Sequence, residues 1–169
     1  MKKIDPSFLD PIDLQLLDLL QEDAAVSNLA LAQRLHVSPP TCLRRVKRLQ
    51  AAGLIERQVA ILSADRLAPV LGHGLEAIVE VTLERQGAEY LSHFEARVVA
   101  DDAVQQCYRV SPGPDFILHV RAADMKAYLA LQQRLFTAEA NVRNVKAFFS
   151  VKRAKFAPRL PLGPSSNAP

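Results

Sequence analysis

The chain has 169 residues, 49% hydrophobic and 23% charged. At roughly 100–200 residues per domain this is one domain or two small ones, and the composition excludes disorder throughout. Lys and Arg number 21 against 18 Asp and Glu, a net charge of +3. No apolar run approaches the roughly 18 residues of a spanning helix, which argues against an integral membrane protein. The opening Met1-Lys2-Lys3-Ile4-Asp5-Pro6 lacks the apolar centre of a signal peptide. Cys42 and Cys107 are too few for a disulfide scaffold, so a cytoplasmic protein with reduced thiols is expected.

Asp10 and Pro11 open the first predicted helix, as N-cap and first helical residue, and Asp13 favours the same helix end. Ile12, Leu16, Leu19 and Leu20 keep helical spacing over residues 11–22. Ser27 can cap a short second helix that buries Leu31, Ala32 and Leu35. A turn at His36-Val37 follows. Ser38 caps a third helix with Pro39 and Pro40 in its first turn, and Gly53 fits just past its end. Residues 54–62 read as an extended, wing-like strand, and residues 63–74, with Pro69, Gly72 and Gly74, as a connection.

From residue 75 the period changes. Ala77, Val79, Val81 and Leu83 alternate with Glu80 and Thr82 in a half-buried strand over 75–84. A helix over 88–100 presents Tyr90, Leu91, Phe94 and Val98 on one side. Two β-rich runs, 103–111 and 115–121, flank the turn Ser111-Pro112-Gly113-Pro114. Asp124 caps a helix with Tyr128, Leu131 and Leu135 inside, and 142–152 form a last strand. The order β-α-β-β-α-β is the ferredoxin-like arrangement. The expected fold is therefore α+β. An N-terminal helix-turn-helix, winged-helix-like domain with its following strand spans 1–62, the connection 63–74, a βαββαβ domain 75–157 and a disordered tail 158–169.

The modest net charge conceals segregation. Residues 1–33 carry −4, residues 34–57 carry +5, residues 58–142 carry −4 and residues 143–169 carry +6. The +5 falls on the third helix, where a local excess can bind a polyanion. Cys42, Leu43, Val46 and Leu49 are expected on its buried face, with Thr41, Arg44, Lys47 and Arg48 opposite and Arg45 on the flank. Such a helix fits the major groove of double-stranded DNA with its N-terminal half against base edges. Thr41 and Arg44 are placed to read bases. Arg45, Lys47 and Arg48 suit phosphates, and Ser38 caps the helix or meets a phosphate there.

On these residues the chain resembles the Lrp/AsnC (leucine-responsive regulatory protein/asparagine regulator) family of transcription regulators. The match runs over about residues 8–156. It is carried by Leu9-Asp10 through Ile12-Asp13 with Leu16-Leu17, by Ser38-Pro39, by Arg45-Val46-Lys47-Arg48-Leu49 and by Gly53-Leu54-Ile55. The second half adds Val79-Glu80-Val81, Cys107-Tyr108-Arg109-Val110-Ser111 and Asp115-Phe116. The resemblance implies a C-terminal sensor domain whose chains pair through their sheets into dimers, and dimers that assemble into octamers or discs. It also implies a small amino-acid effector bound near the turn between Val110 and Phe116. Val110, Ser111, Gly113, Asp115 and Phe116 map to that site, with Asn141 on a second surface at Ala140-Asn141-Val142. Here the sequence departs from the family: Pro112 stands where a Gly is usual, Gly113 is displaced by one and Pro114 replaces an aromatic residue. A Pro-Gly-Pro turn has fewer N–H donors for a carboxylate.

There is no phosphate-binding Gly-rich loop, nucleophile elbow, paired-His zinc motif or Cys-x-x-Cys. His36, His73, His93 and His119 are scattered, and no cofactor, metal or catalytic residue is expected. Two alternatives stay open. One is an architectural DNA-binding protein without an effector. The other is a decarboxylase of the related sirohaem-processing group, which would use residues such as His119 and Arg109.

Overall fold

The computed structural model of the chain describes residues 8–71 and 74–162. Two compact units are formed. The first comprises the described parts of Met1–Ile61 and Phe156–Pro169, and the second spans Leu62–Lys155.

Three helices build the first unit: α1 (Pro11–Glu22), α2 (Asn28–Arg34) and α3 (Pro39–Ala51). Each starts as its sequence dictates. Asp10 accepts from the Asp13 amide at 2.9 Å while the Asp13 carboxylate accepts from the Asp10 amide at 3.0 Å, a reciprocal cap that satisfies two otherwise orphaned donors. Ser27 caps α2 at the Ala30 amide and Ser38 caps α3 at the Thr41 amide. The two ends at the turn side share one hydrogen-bonding scheme. After α2, His36 N–H donates to Gln33 and Val37 N–H to Ala32; after α3, Gly53 N–H donates to Gln50 and Leu54 N–H to Leu49. Both pivots, His36 at φ 54° and Gly53 at φ 72°, occupy the left-handed region that this closure requires. Leu16, Leu31, Ala32, Leu35, Cys42 and Leu49 form the buried core between the helices.

Three readings of the chain ends and connections change. The wing-like strand expected over 54–62 is absent: those residues belong to no helix or strand, and Val59, Ile61 and Leu62 are exposed. A strand exists by pairing, and among the described residues no second segment of the unit offers a ladder. The connection at 63–74 contains a helix, α4 (Ala64–Leu71), begun by the Ser63 side chain at the Arg66 amide; its Gly72 and His73 lie outside the described residues. The start of the tail is engaged with α1. Gln21 accepts from the Leu160 amide at 2.6 Å and donates to the Leu160 carbonyl at 3.1 Å, and Arg159 pairs with Asp18 at 2.7 Å. Residues 163–169 of the expected disordered tail lie outside the described residues.

The second unit carries β1 (Leu75–Leu83), α5 (Ala88–Val99), β2 (Val104–Arg109), β3 (Phe116–Ala122), α6 (Met125–Gln132), a π-helical turn (Gln133–Thr137) and β4 (Val142–Phe149). Its sheet has the antiparallel order β2-β3-β1-β4, the ferredoxin-like topology expected from the element order. Alternation decides the faces. Ala77, Val79, Val81 and Leu83 join Phe116, Leu118 and Val120 under α5 and α6, against Phe94, Val98, Tyr128, Leu131, Leu135 and Phe136. Phe94 and Phe116 meet with ring centroids 5.0 Å apart. The opposite face carries no helix. Along it Ile78 stands beside Phe148 and His119, and Tyr108 beside Ile117; Ile78, Phe148 and Tyr108 are exposed.

Candidate nucleic-acid interface and effector loop

In α3 the buried residues are Cys42 and Leu49, with Val46 partly buried against the same core. Leu43 was expected among them. It is 44% exposed and takes no part in the core. Arg45, on another side of the helix, turns toward α1. Arg45 Nη1 reaches Asp10 at 2.7 Å and Asp13 at 2.8 Å, and Arg48 Nη2 reaches Asp13 at 2.5 Å. Arg48 also donates to the Phe8 carbonyl and lies 4.6 Å over the Phe8 ring. Asp13 is fully buried. Burial by itself would raise its pKa. The Arg48 hydrogen bond, the Asp10 amide and the Arg45 hydrogen bond overcome that and hold the carboxyl down at about 2.

The expected DNA-binding set therefore divides. Ser38 Oγ accepts from the Thr41 amide at 3.3 Å and shares a 2.8 Å hydrogen bond with Thr41 Oγ1. Arg45 and Arg48, expected at phosphates, have donors committed to Asp10, Asp13 and Phe8. Arg44 and Lys47 are exposed and form no ion pair with a described carboxylate. The acids of α1 were read only as helix-capping charges. That they also face Asp–Arg pairing distance required the crossing of α1 over α3, which one-dimensional spacing does not contain.

Of the expected effector residues, Asn141 lines a groove that the turn residues Val110, Ser111, Gly113, Asp115 and Phe116 do not line. Val110 N–H donates to the Asp115 carbonyl, closing the turn between β2 and β3. Ser111 and Gly113 are exposed at its tip, where Gly113 has φ 122° and Ser111-Pro112 is cis. Phe116 is fully buried in the core. Asp115 accepts from the Leu83 amide at 2.7 Å and from the Gln86 amide group at 3.3 Å. Asn141 accepts from the Arg85 amide at 2.9 Å and donates to the Arg85 carbonyl at 3.1 Å. Both residues thus hold the 83–86 loop, from two sides. Beyond Asn141 a groove of about 680 Å³ is lined by Glu84, Arg85, Glu89, Tyr90, His93 and Glu139 among others. Arg85 donates to the Tyr90 hydroxyl at 3.2 Å, and Glu139 pairs with Arg97. The sequence reading missed Arg85 and Tyr90, because neither stands in the turn on which the resemblance placed the site.

His119 and Arg109 do not meet. His119 pairs with Glu76 at 2.7 Å on the helix-free face. Arg109 pairs with Glu95 of α5 at 2.5 Å and lies over the Phe116 ring, on the covered face. Cys42 and Cys107 are free thiols, and burial raises the pKa of both. Among the described residues, no helix is long and apolar enough to cross a membrane.

Comparison with known proteins matches residues 9–56 to the winged helix-turn-helix DNA-binding family and residues 76–160 to the Lrp/AsnC ligand binding domain. The chain belongs to the Lrp/AsnC family. It is 34% identical over 149 residues to the leucine-responsive regulatory protein of Rhizobium meliloti, covering 88% of this chain and 93% of that one. The leucine-responsive regulatory protein of Escherichia coli is 32% identical over 152 residues, 90% of each chain. A solved transcriptional regulator from Neisseria meningitidis, in complex with L-Met, superposes with a TM-score of 0.80 at 30% identity over 91% of this chain and 97% of that one. As an Lrp/AsnC protein, the chain is a DNA-binding transcription regulator with a reader unit and a ligand-binding unit.

Proposed function

We propose that the chain is an oligomeric regulator that reads double-stranded DNA with Thr41, Arg44 and Lys47 and responds to a small amino acid. The observation that carries the DNA role is the division of α3. One side is locked to α1 through Asp13, and the other presents Arg44 and Lys47 to solvent without carboxylate partners among the described residues. Arg44, in the N-terminal half of the helix, reads a base edge and Lys47 binds phosphate. Ser38 holds the start of the helix. Arg45 and Arg48 set its orientation.

The effector reading rests on the groove beside Asn141. A free amino acid needs a cation for its carboxylate and an acceptor for its ammonium, and Arg85 with Glu84 and Glu89 supplies both. The Neisseria neighbour, whose structure holds L-Met, supports an amino acid as the ligand class. Asp115 and Asn141 serve the site by fixing the 83–86 loop. Self-association uses the helix-free sheet face, where Ile78, Phe148 and Tyr108 are exposed, with dimers assembling further into octamers.

The DNA role is tested by titrating duplex DNA at several salt concentrations. Lys47→Ala should weaken all sequences alike and lower the salt slope by about one, while Arg44→Ala should also relax base preference. An unchanged salt slope in Lys47→Ala would refute it. The effector role is tested by thermal-shift screening of the proteinogenic amino acids with the unaltered chain and Arg85→Ala. No shift with any amino acid would leave the architectural reading in its place.

A further inference from the structure

We propose that Leu43 is a specificity residue that contacts the C5-methyl group of a thymine in the major groove, beside the base edge read by Arg44. This rests on the DNA-reading role of α3 stated above. In α3 a large aliphatic side chain faces outward while a guanidinium turns toward α1. Arg45 turns inward because the buried Asp13 and the neighbouring Asp10 receive it. Leu43 is left 44% exposed and outside the hydrophobic core that holds Cys42 and Leu49.

On the helix surface Leu43 is the neighbour of Pro40 and Lys47, at three and four residues' spacing, and adjoins Arg44. Pro40, Leu43 and Arg44 lie in the exposed N-terminal half that such a helix inserts into the groove, and Lys47 stands one turn further on. A cationic pair directs this surface to a polyanion, and an apolar group beside those cations has one complement there. The major groove offers hydrogen-bond donors and acceptors at every base pair, but a single apolar feature, the thymine methyl. Leucine makes no hydrogen bond to a base, so its preference is for T over C at one position rather than for a donor pattern.

The test uses the full chain. A random duplex pool is selected for binding, and each thymine of a selected duplex is replaced in turn by uracil, which removes only the methyl group. Affinity is read by fluorescence anisotropy at fixed salt for the unaltered chain, Leu43→Ala and Lys47→Ala. At the transfer free energy of one buried methyl, roughly a fourfold loss is expected for the unaltered chain at one or two thymines. Leu43→Ala should bind the thymine duplex with about that loss, show no further loss on uracil replacement and keep its salt slope. Its melting temperature checks that the exposed truncation leaves the fold intact.

Indifference of the unaltered chain to uracil at every position overturns the inference. So does equal uracil sensitivity in Leu43→Ala, or a change in its oligomeric state without loss of that sensitivity. If Lys47→Ala lowers the salt slope while uracil has no effect, Leu43 alone is misassigned. If Lys47→Ala leaves the slope unchanged, the DNA-reading role of α3 falls and Leu43 with it.

Discussion

Asp13 performs two tasks with one carboxylate. It closes the reciprocal cap at the start of α1 and anchors Arg45 and Arg48 of α3. Removing one partner of a buried ion pair strands the others, so Asp13→Ala should destabilise the chain by about 3 kcal/mol, measured by urea unfolding. Its pH dependence has a definite sign. The carboxyl is lowered from its ordinary 3.8 to about 2 on folding. Its contribution is therefore complete above the unfolded value and is lost as pH falls through the folded one. The stability gap between the unaltered chain and Asp13→Asn should be constant down to about pH 5 and close between roughly pH 4 and 2. A gap that widens on acidification would contradict the assignment. Leu43 is the residue that sequence periodicity misplaced, and the inward turn of Arg45 is what it could not supply. An apolar stripe is read by counting apolar residues, and a buried acceptor on another helix is invisible to that count.

At the scale of elements, the two helix ends around the turn offer a matched comparison. Both close through one hydrogen-bonding scheme on a left-handed pivot, yet one pivot is His36 and the other Gly53. A Cβ at Gly53 would meet no atom within 4 Å, so only backbone strain opposes it. Gly53→Ala should cost about 1–2 kcal/mol, and His36→Gly should be neutral or stabilising by up to about 1 kcal/mol, both read from thermal unfolding. Same-sign effects would show that side-chain contacts, not φ, decide these positions. Helix starts and the β-alternation of the second unit were legible because they are local. Ser27, Ser38, Asp10 and Asp124 cap where expected, and Ala77, Val79, Val81 and Leu83 face the helices. Helix α4 was not legible, since Pro69 and the nearby glycines read as breakers. Eight residues behind a Ser63 cap tolerate one proline near their end. The candidate effector loop was less legible. Asp115 and Asn141 stand out in the sequence, but their shared hold on the 83–86 loop depends on strand ends that meet only in the folded sheet.

At the scale of the whole molecule, the uncovered sheet face sets the expected assembly. Ile78 and Phe148 stand side by side there, exposed, with the Glu76 carboxylate bridging His119 and Arg121 nearby. Changing Ile78 and Phe148 together to Lys should shift the chain toward monomers in analytical ultracentrifugation. The fold should survive, because neither residue belongs to the core. Two linked readers on one duplex gain from effective concentration, so the same variant should lose about a hundredfold or more in affinity for a two-site duplex. Its affinity for a single site should stay near that of the parent. Equal losses on both duplexes would mean that the face is not where chains pair.

The grip of Gln21 and Asp18 on Leu160 and Arg159 has a practical corollary for dissecting the molecule. The reader unit is assembled from two stretches of chain that are nearly a hundred residues apart in sequence, so it has no single excision point. A fragment stopped at residue 61 would leave the end of α1 bare of its own C-terminal strap. A reader with residues 156–162 spliced back through a short linker is the cleaner instrument.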